Sequence, residues 1–169
     1  KTRAKEASVL PSVEIVDLRE ELKGGNRGIF SRRLRELMEE TLMRGEQILL
    51  FLNRRGYAGF VSCRACGKPV RCPHCDVSLK VHRDGTLKCH YCGYEMPIPR
   101  ACPSCGSGYI AGFGTGTQKV EAMVNAMFPE AGVLRMDMDT TSKKGSHNAI
   151  LSAFADGKAD ILIGTQMIV

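Results

Sequence analysis

The chain has 169 residues, 43% of them hydrophobic, with 24 Lys or Arg against 18 Asp or Glu and a net charge of +6. That length suits one ordinary domain plus a small module, and no apolar run approaches the ~20 residues of a membrane-crossing helix, so a soluble, intracellular chain is expected. The charge looks like a nucleic-acid footprint until it is located: residues 54–105 hold nine Lys or Arg against three acids, and the remainder is balanced at fifteen of each.

In chain order, residues 1–11 show no period and read as a linker or the tail of a preceding domain. Residues 13–18 (VEIVDL) predict a strand, followed by a charged loop through Gly24, Gly25 and Asn26. Ser31 starts a helix, with Leu34, Leu37, Met38, Thr41 and Leu42 recurring on one face and an end near Gly45. Residues 47–53 (QILLFLN) are apolar on both faces in strand register, as expected of an interior strand of a parallel sheet.

All eight cysteines follow, between Cys63 and Cys105, as four C-x-x-C pairs: Cys63/Cys66, Cys72/Cys75, Cys89/Cys92 and Cys102/Cys105. Two thiolates on one tight turn grip half of a tetrahedral Zn²⁺, so four pairs predict two closed zinc sites. Three pairs run directly into Gly67, Gly93 or Gly106. Five residues between Cys66 and Cys72 are too few for those turns to face one metal, whereas thirteen between Cys75 and Cys89 allow a hairpin. The second and third pairs then share one ion and the first and fourth the other, with a crossed arrangement of alternating pairs as the alternative. Disulfides are disfavoured by the regular pairing and the lack of a secretory signal, and tetrathiolate iron is the closer rival to zinc. His74, His82 and His90 lie among eight thiolates that already fill two sites, and read as surface groups. With two Zn²⁺ bound, the thiolates reduce the module's excess charge from +6 to about +2, so part of the basic excess is counter-charge.

Beyond the cysteines, residues 112–117 (GFGTGT) lack the Gly-Lys-Ser/Thr of a Walker A loop and the third glycine of a dinucleotide loop. They predict a tight turn into a helix, with Thr115 and Gln118 spaced as a capping box. A nucleic-acid phosphate at that helix start is the other reading. The helix carries Val120, Met123, Val124 and Met127 on one face, and a strand follows at Val133–Met136. Asp137 and Asp139 read as solvated turn residues beside Thr140, Thr141 and Ser142, and Met123, Met127, Met136 and Met138 as core filling. A third helix spaces His147, Ile150, Leu151 and Phe154, and residues 160–165 (DILIGT) form a second doubly buried strand. The alternation predicts a parallel α/β sheet with crossover helices. Beginning at Lys1 and stopping just after an apolar run, the chain reads as a piece of a longer protein.

The order FLNRRGY (51–57), four C-x-x-C pairs, GTGT (114–117), RMDMDTT (135–141) and DILIGTQM (160–167) resembles one family, the PriA primosomal replication-restart DNA helicases (primosomal protein N′), over nearly the whole chain. The resemblance implies an incomplete RecA-like second helicase lobe, residues 12–60 and 106–169, interrupted by a two-zinc module at 61–105 with the nested pairing: Cys63, Cys66, Cys102 and Cys105 on one ion, Cys72, Cys75, Cys89 and Cys92 on the other. It implies a bacterial, cytoplasmic parent that hydrolyses ATP with Mg²⁺, moves 3′ to 5′, restarts stalled forks and assembles the primosome. Its expected partners are forked and single-stranded DNA, primosome proteins and single-strand-binding protein. Asn53, Arg54, Arg55 and Gly56 match helicase motif IV, and Gly164, Thr165 and Gln166 the start of motif V. The expected DNA or interlobe contacts are Asn53, Arg54, Arg55, Thr115, Thr117, Thr165 and Gln166. No catalytic residue is expected in this piece, since the Walker A lysine, the acidic Mg²⁺ motif and the arginine of motif VI are not in it. The competing function is a stand-alone zinc-ribbon protein that binds nucleic acid, for which the buried strands flanking the cysteines would have no use.

Overall fold

A computed structural model describes residues 11–52, 59–82, 84–112, 116–143 and 145–168. Three parallel strands form its main sheet: β1 (Ile48–Phe51), β7 (Val133–Met136) and β8 (Ile161–Gly164), in the order β1-β8-β7. Ile48 pairs with Ile161 on one side of β8 and Val133 on the other, so the three strands start level. Helix α2 (Arg32–Met43) packs on β1, α3 (Thr117–Met127) on β7 and β8, and α4 (Ser146–Ala155) on β7.

The core between sheet and helices joins Phe30, Met38, Leu50, Val120, Val124, Ile161 and Ile163. Central β8 is buried at all four residues, because neighbours flank it on both sides and it has no charged side chain to hydrate. Strand β1 was expected to be interior too. Among the described residues it pairs only with β8, and Leu49 and Phe51 remain 49% and 44% exposed, so the face carrying Leu50 is the covered one.

Helix α2 begins as expected: the Ser31 hydroxyl accepts the Leu34 amide at 3.0 Å. It ends through Gly45, whose φ of 69° lets its own N–H and that of Glu46 reach the carbonyls of Leu42 and Thr41. The segment expected as a strand at 13–18 is not one. Residues 11–17 have no regular structure, and Leu18–Lys23 is a short helix, α1, capped by the Asp17 carboxylate on the Arg19 amide. Val13 and Ile15 are 85% and 92% exposed; apolar alternation supplied strand propensity but no neighbouring strand.

The cysteine region holds two small antiparallel sheets, β2 (Val61–Cys63) with β6 (Ile110–Gly112), and β3 (Lys80–Val81), β4 (Thr86–Lys88) and β5 (Glu95–Pro97) in order. Its own apolar cluster comprises Val61, Val70, Leu79 and Leu87 with Cys72 and Cys89. Because β2 and β6 are antiparallel neighbours, the chain enters and leaves this region side by side. Among the described residues, no helix is long and apolar enough to cross a membrane.

Candidate metal centres and nucleic-acid interface

The four C-x-x-C turns share one backbone design. In each, the first cysteine's carbonyl accepts an amide four residues on: from Gly67 at 2.7 Å, Asp76 at 3.0 Å, Gly93 at 3.0 Å and Gly106 at 2.8 Å. Its own N–H donates to the carbonyl five residues on, that of Lys68, Val77, Tyr94 or Ser107, at 2.8–2.9 Å. Closing such a turn requires a left-handed residue, and the three glycines sit at φ 72–75°. The second turn has no glycine, and Asp76 takes φ 53° instead, a conformation aspartate tolerates better than most residues.

These turns gather the sulfurs into two sets, Cys63, Cys66, Cys102 and Cys105, and Cys72, Cys75, Cys89 and Cys92, each with its four Sγ atoms within 4.8 Å of one another. Across turns, Cys63 lies 3.6 Å from Cys105, Cys66 3.8 Å from Cys102, and Cys72 3.5 Å from Cys92. A metal with four thiolates at about 2.3 Å in a tetrahedron places its sulfurs about 3.8 Å apart, so the donor sets fit such an ion in number, type and spacing. The grouping is nested, the outer turns meeting around the inner pair.

The thiols themselves favour metal binding. Amides of Cys92 and Tyr91 pull the Cys89 thiol down to about 7. Burial pushes Cys102 up, yet the amides of Ser104 and Cys105 bring it down to about 7. Its neighbours go the other way. Cys75 is pushed up to about 12 by its bond to Cys92 and by burial. At Cys105 an amide from Ser107 favours the thiolate, but burial and the bonds to Cys63, Cys66 and Cys102 outweigh it and raise the thiol to about 12. Without a cation, a second thiolate in the same small space is repelled; a bound dication removes that penalty and releases the protons.

The second candidate surface is the carboxyl edge of the main sheet. Asn53, Arg54, Arg55, Gly56 and Thr115 lie outside the described residues. Thr117, Thr165 and Gln166 are described: Thr117 is buried in the first turn of α3, and Thr165 and Gln166 are half-buried just past β8. Gly164 has to be glycine, since an added Cβ would stand 2.9 Å from the Met136 carbonyl and closer still to Ile168. The cap of α3 is Gly116, with no side-chain cap bond, and Gln118 donates to Asp139 at 3.3 Å; the Thr115 half of the expected capping box lies outside the described residues.

Asp137 is the residue sequence reasoning missed. Expected in a solvated turn, it is only 9% exposed. Its carboxylate accepts bonds from the Thr117 hydroxyl and the Arg135 guanidinium, and from the amides of Asp139 and Thr140 at 3.0 Å. Burial opposes its charge, but these donors win and hold the carboxyl below its ordinary value. Arg135 also pairs with Glu121 at 2.9 Å, so one network ties the α3 start to the end of β7. The signal available in the sequence was Asp followed by Thr at i+3 and i+4, the pattern of a self-bonded turn. Met138, expected in the core, is 77% exposed.

The pattern of the PriA DNA helicase Cys-rich region (CRR) domain matches residues 72–97, the inner turns and their hairpin. The chain is 59% identical over 161 residues to the replication restart protein PriA of Bacillus subtilis (strain 168), covering 95% of this chain and 20% of that protein. It is 49% identical over 164 residues to that of Synechocystis sp. (94% and 20%), and 37% identical over 158 residues to that of Thermotoga maritima (93% and 21%). The chain spans about a fifth of the length of the curated relatives it matches. Identity that runs through both the sheet and the cysteine module, with the family's own Cys-rich pattern seated on the inner cluster, assigns this chain to the replication restart PriA family.

Proposed function

We propose that this chain is the zinc-bearing part of a second helicase lobe, in a parent protein that uses ATP and Mg²⁺ to move 3′ to 5′ on DNA, restart stalled forks and assemble the primosome in the bacterial cytoplasm. Residues 12–60 and 106–169 would be the lobe, 61–105 the insertion and 1–11 a linker. The observation that carries the reading is the coexistence of two complete tetrathiolate sets with a buried parallel sheet. A stand-alone zinc ribbon has no use for β8. Zn²⁺ suits the donor sets, which supply four sulfurs each and leave no coordination position for water or substrate. The module would therefore act as a rigid surface, with no part in activating water.

DNA would meet this chain at the carboxyl edge of the sheet, through Asn53, Arg54, Arg55, Thr115, Thr165 and Gln166, and more weakly through module cations such as Lys80 and Arg71. Thr117 supports this edge indirectly, because its hydroxyl is committed to Asp137. Primosome proteins and single-strand-binding protein would dock on the module. ATP chemistry would lie outside this chain, which has no Gly-Lys-Ser/Thr loop. The test is Lys80→Ala with Arg71→Ala in the full-length, zinc-loaded parent. Unwinding and primosome loading should fall while most DNA-stimulated ATP hydrolysis persists. Loss of ATP hydrolysis in a folded, zinc-loaded variant would make the module part of the motor and overturn the assignment.

A further inference from the structure

Outside both cysteine sets, His82 and His90 meet with their Nε2 atoms 2.9 Å apart. His82 follows β3 and His90 sits in the Cys89–Cys92 turn, so two separately anchored backbones hold the rings, with centroids 5.2 Å apart. Both rings are accessible to solvent, His90 the more so. We propose that this pair is a third metal site, exchangeable and distinct from the two thiolate sites, that takes a divalent transition-metal ion favouring adjacent ligands at right angles, such as Ni²⁺ or Cu²⁺.

The angle follows from the distance. Imidazole nitrogens bind such ions at about 2.0–2.1 Å; two of them at 90° stand about 2.9 Å apart, whereas a tetrahedral pair stands about 3.4 Å apart. The observed spacing equals that of the square-planar or octahedral pair, so the rings need only rotate in place, with no change in the distance between their nitrogens. In the metal-free pair one Nε2–H donates to the other Nε2, so each nitrogen faces the other, and both rings turn by about 45° to aim at one ion beside them. For both to ligate, the donor ring shifts its proton to Nδ1, which needs no net loss of a proton. Asp84, in the turn after His82, accepts from the Thr86 hydroxyl at 2.6 Å and pairs with Lys88, so water completes the coordination shell. Two ligands on a solvent-facing hairpin make a weak, exchanging site, in contrast to the closed tetrathiolates.

The test is titration of the 169-residue chain, loaded with two zinc ions, with Ni²⁺, followed by calorimetry and X-ray absorption, with zinc content checked at each point. The expected result is one Ni²⁺ per chain with two imidazole ligands and both zincs retained. His82→Asn and His90→Asn should each weaken Ni²⁺ at least tenfold. His74→Asn, whose ring packs edge-on against Tyr94 instead, should leave binding unchanged. Nickel that only displaces zinc, that binds either single variant as tightly as the parent, or that shows no imidazole pair would overturn the proposal.

Discussion

Arg64, inside the first C-x-x-C turn, donates to the carbonyl of Gly28, between α1 and α2, at 2.6 Å. The same guanidinium reaches the carbonyls of Arg27 at 2.7 Å and Asn26 at 3.3 Å, and Arg27 in turn lies over the Tyr109 ring at 5.5 Å. The outer cysteine set is therefore clamped to the start of the main sheet's first covering helix, although 36 residues separate Arg64 from Gly28.

Replacing that clamp should loosen the loop and spare the metals. Arg64→Ala removes charge-assisted bonds to three carbonyls and should cost about 1.5–3 kcal/mol. Denaturant midpoints would register the loss, and hydrogen exchange should accelerate at residues 26–30 while metal content stays at two per chain. Unchanged exchange there would mean the clamp does not hold the loop.

Asp76 offers a test of turn chemistry. In the left-handed conformation a β-branched side chain adds strain of about 1–2 kcal/mol, so Asp76→Val should weaken metal retention at the inner set selectively. Asp76→Gly relieves backbone strain but loses the exposed ion pair with Arg71, an exchange that should stay within about 1 kcal/mol of the parent. Competition with a chelator would separate the two variants.

The buried carboxylate predicts a pH signature. Asp137 is held below its ordinary value, so its contribution is fully present above the unfolded value of about 3.9 and is lost as pH falls through the lower folded value. Asp137→Asn should destabilise the sheet at neutral pH by about 1–3 kcal/mol. The gap between parent and variant should close only below about pH 4, after acid has already stripped thiolate-bound metal from both. A gap that closed near pH 6 would point to another titrating group.

Much of this was legible locally. The Ser31 cap, the extent of β7, that of β8 to within one residue at each end, the apolar face of α3 and the four C-x-x-C turns all follow from residues within a few positions of one another. What failed depended on partners. The residues 13–18 alternate as a strand does, yet among the described residues no neighbour pairs with them; QILLFLN is apolar on both faces, yet among those residues β1 has one strand beside it. Asp137 looked solvated because its burial comes from Thr117 and Arg135, brought to it by the crossover. The nested grouping was the one loop lengths favoured, since a five-residue spacer keeps the first two turns from facing each other, but the crossed pairing stayed open until the sulfurs were placed. The Arg64 clamp was not, because its acceptors are backbone carbonyls with no side-chain signature.

Two closed tetrathiolate sites with nested ligands are resolved from every other pairing by ¹¹³Cd NMR of the cadmium-substituted chain. The prediction is two ¹¹³Cd resonances in the tetrathiolate range, one scalar-coupled to Cys63, Cys66, Cys102 and Cys105 and the other to Cys72, Cys75, Cys89 and Cys92. Cys89→Ser should shift only the second, and Cys102→Ser only the first. A single resonance, or couplings that join Cys63 to Cys89 or Cys72 to Cys102, would rule out two nested sites.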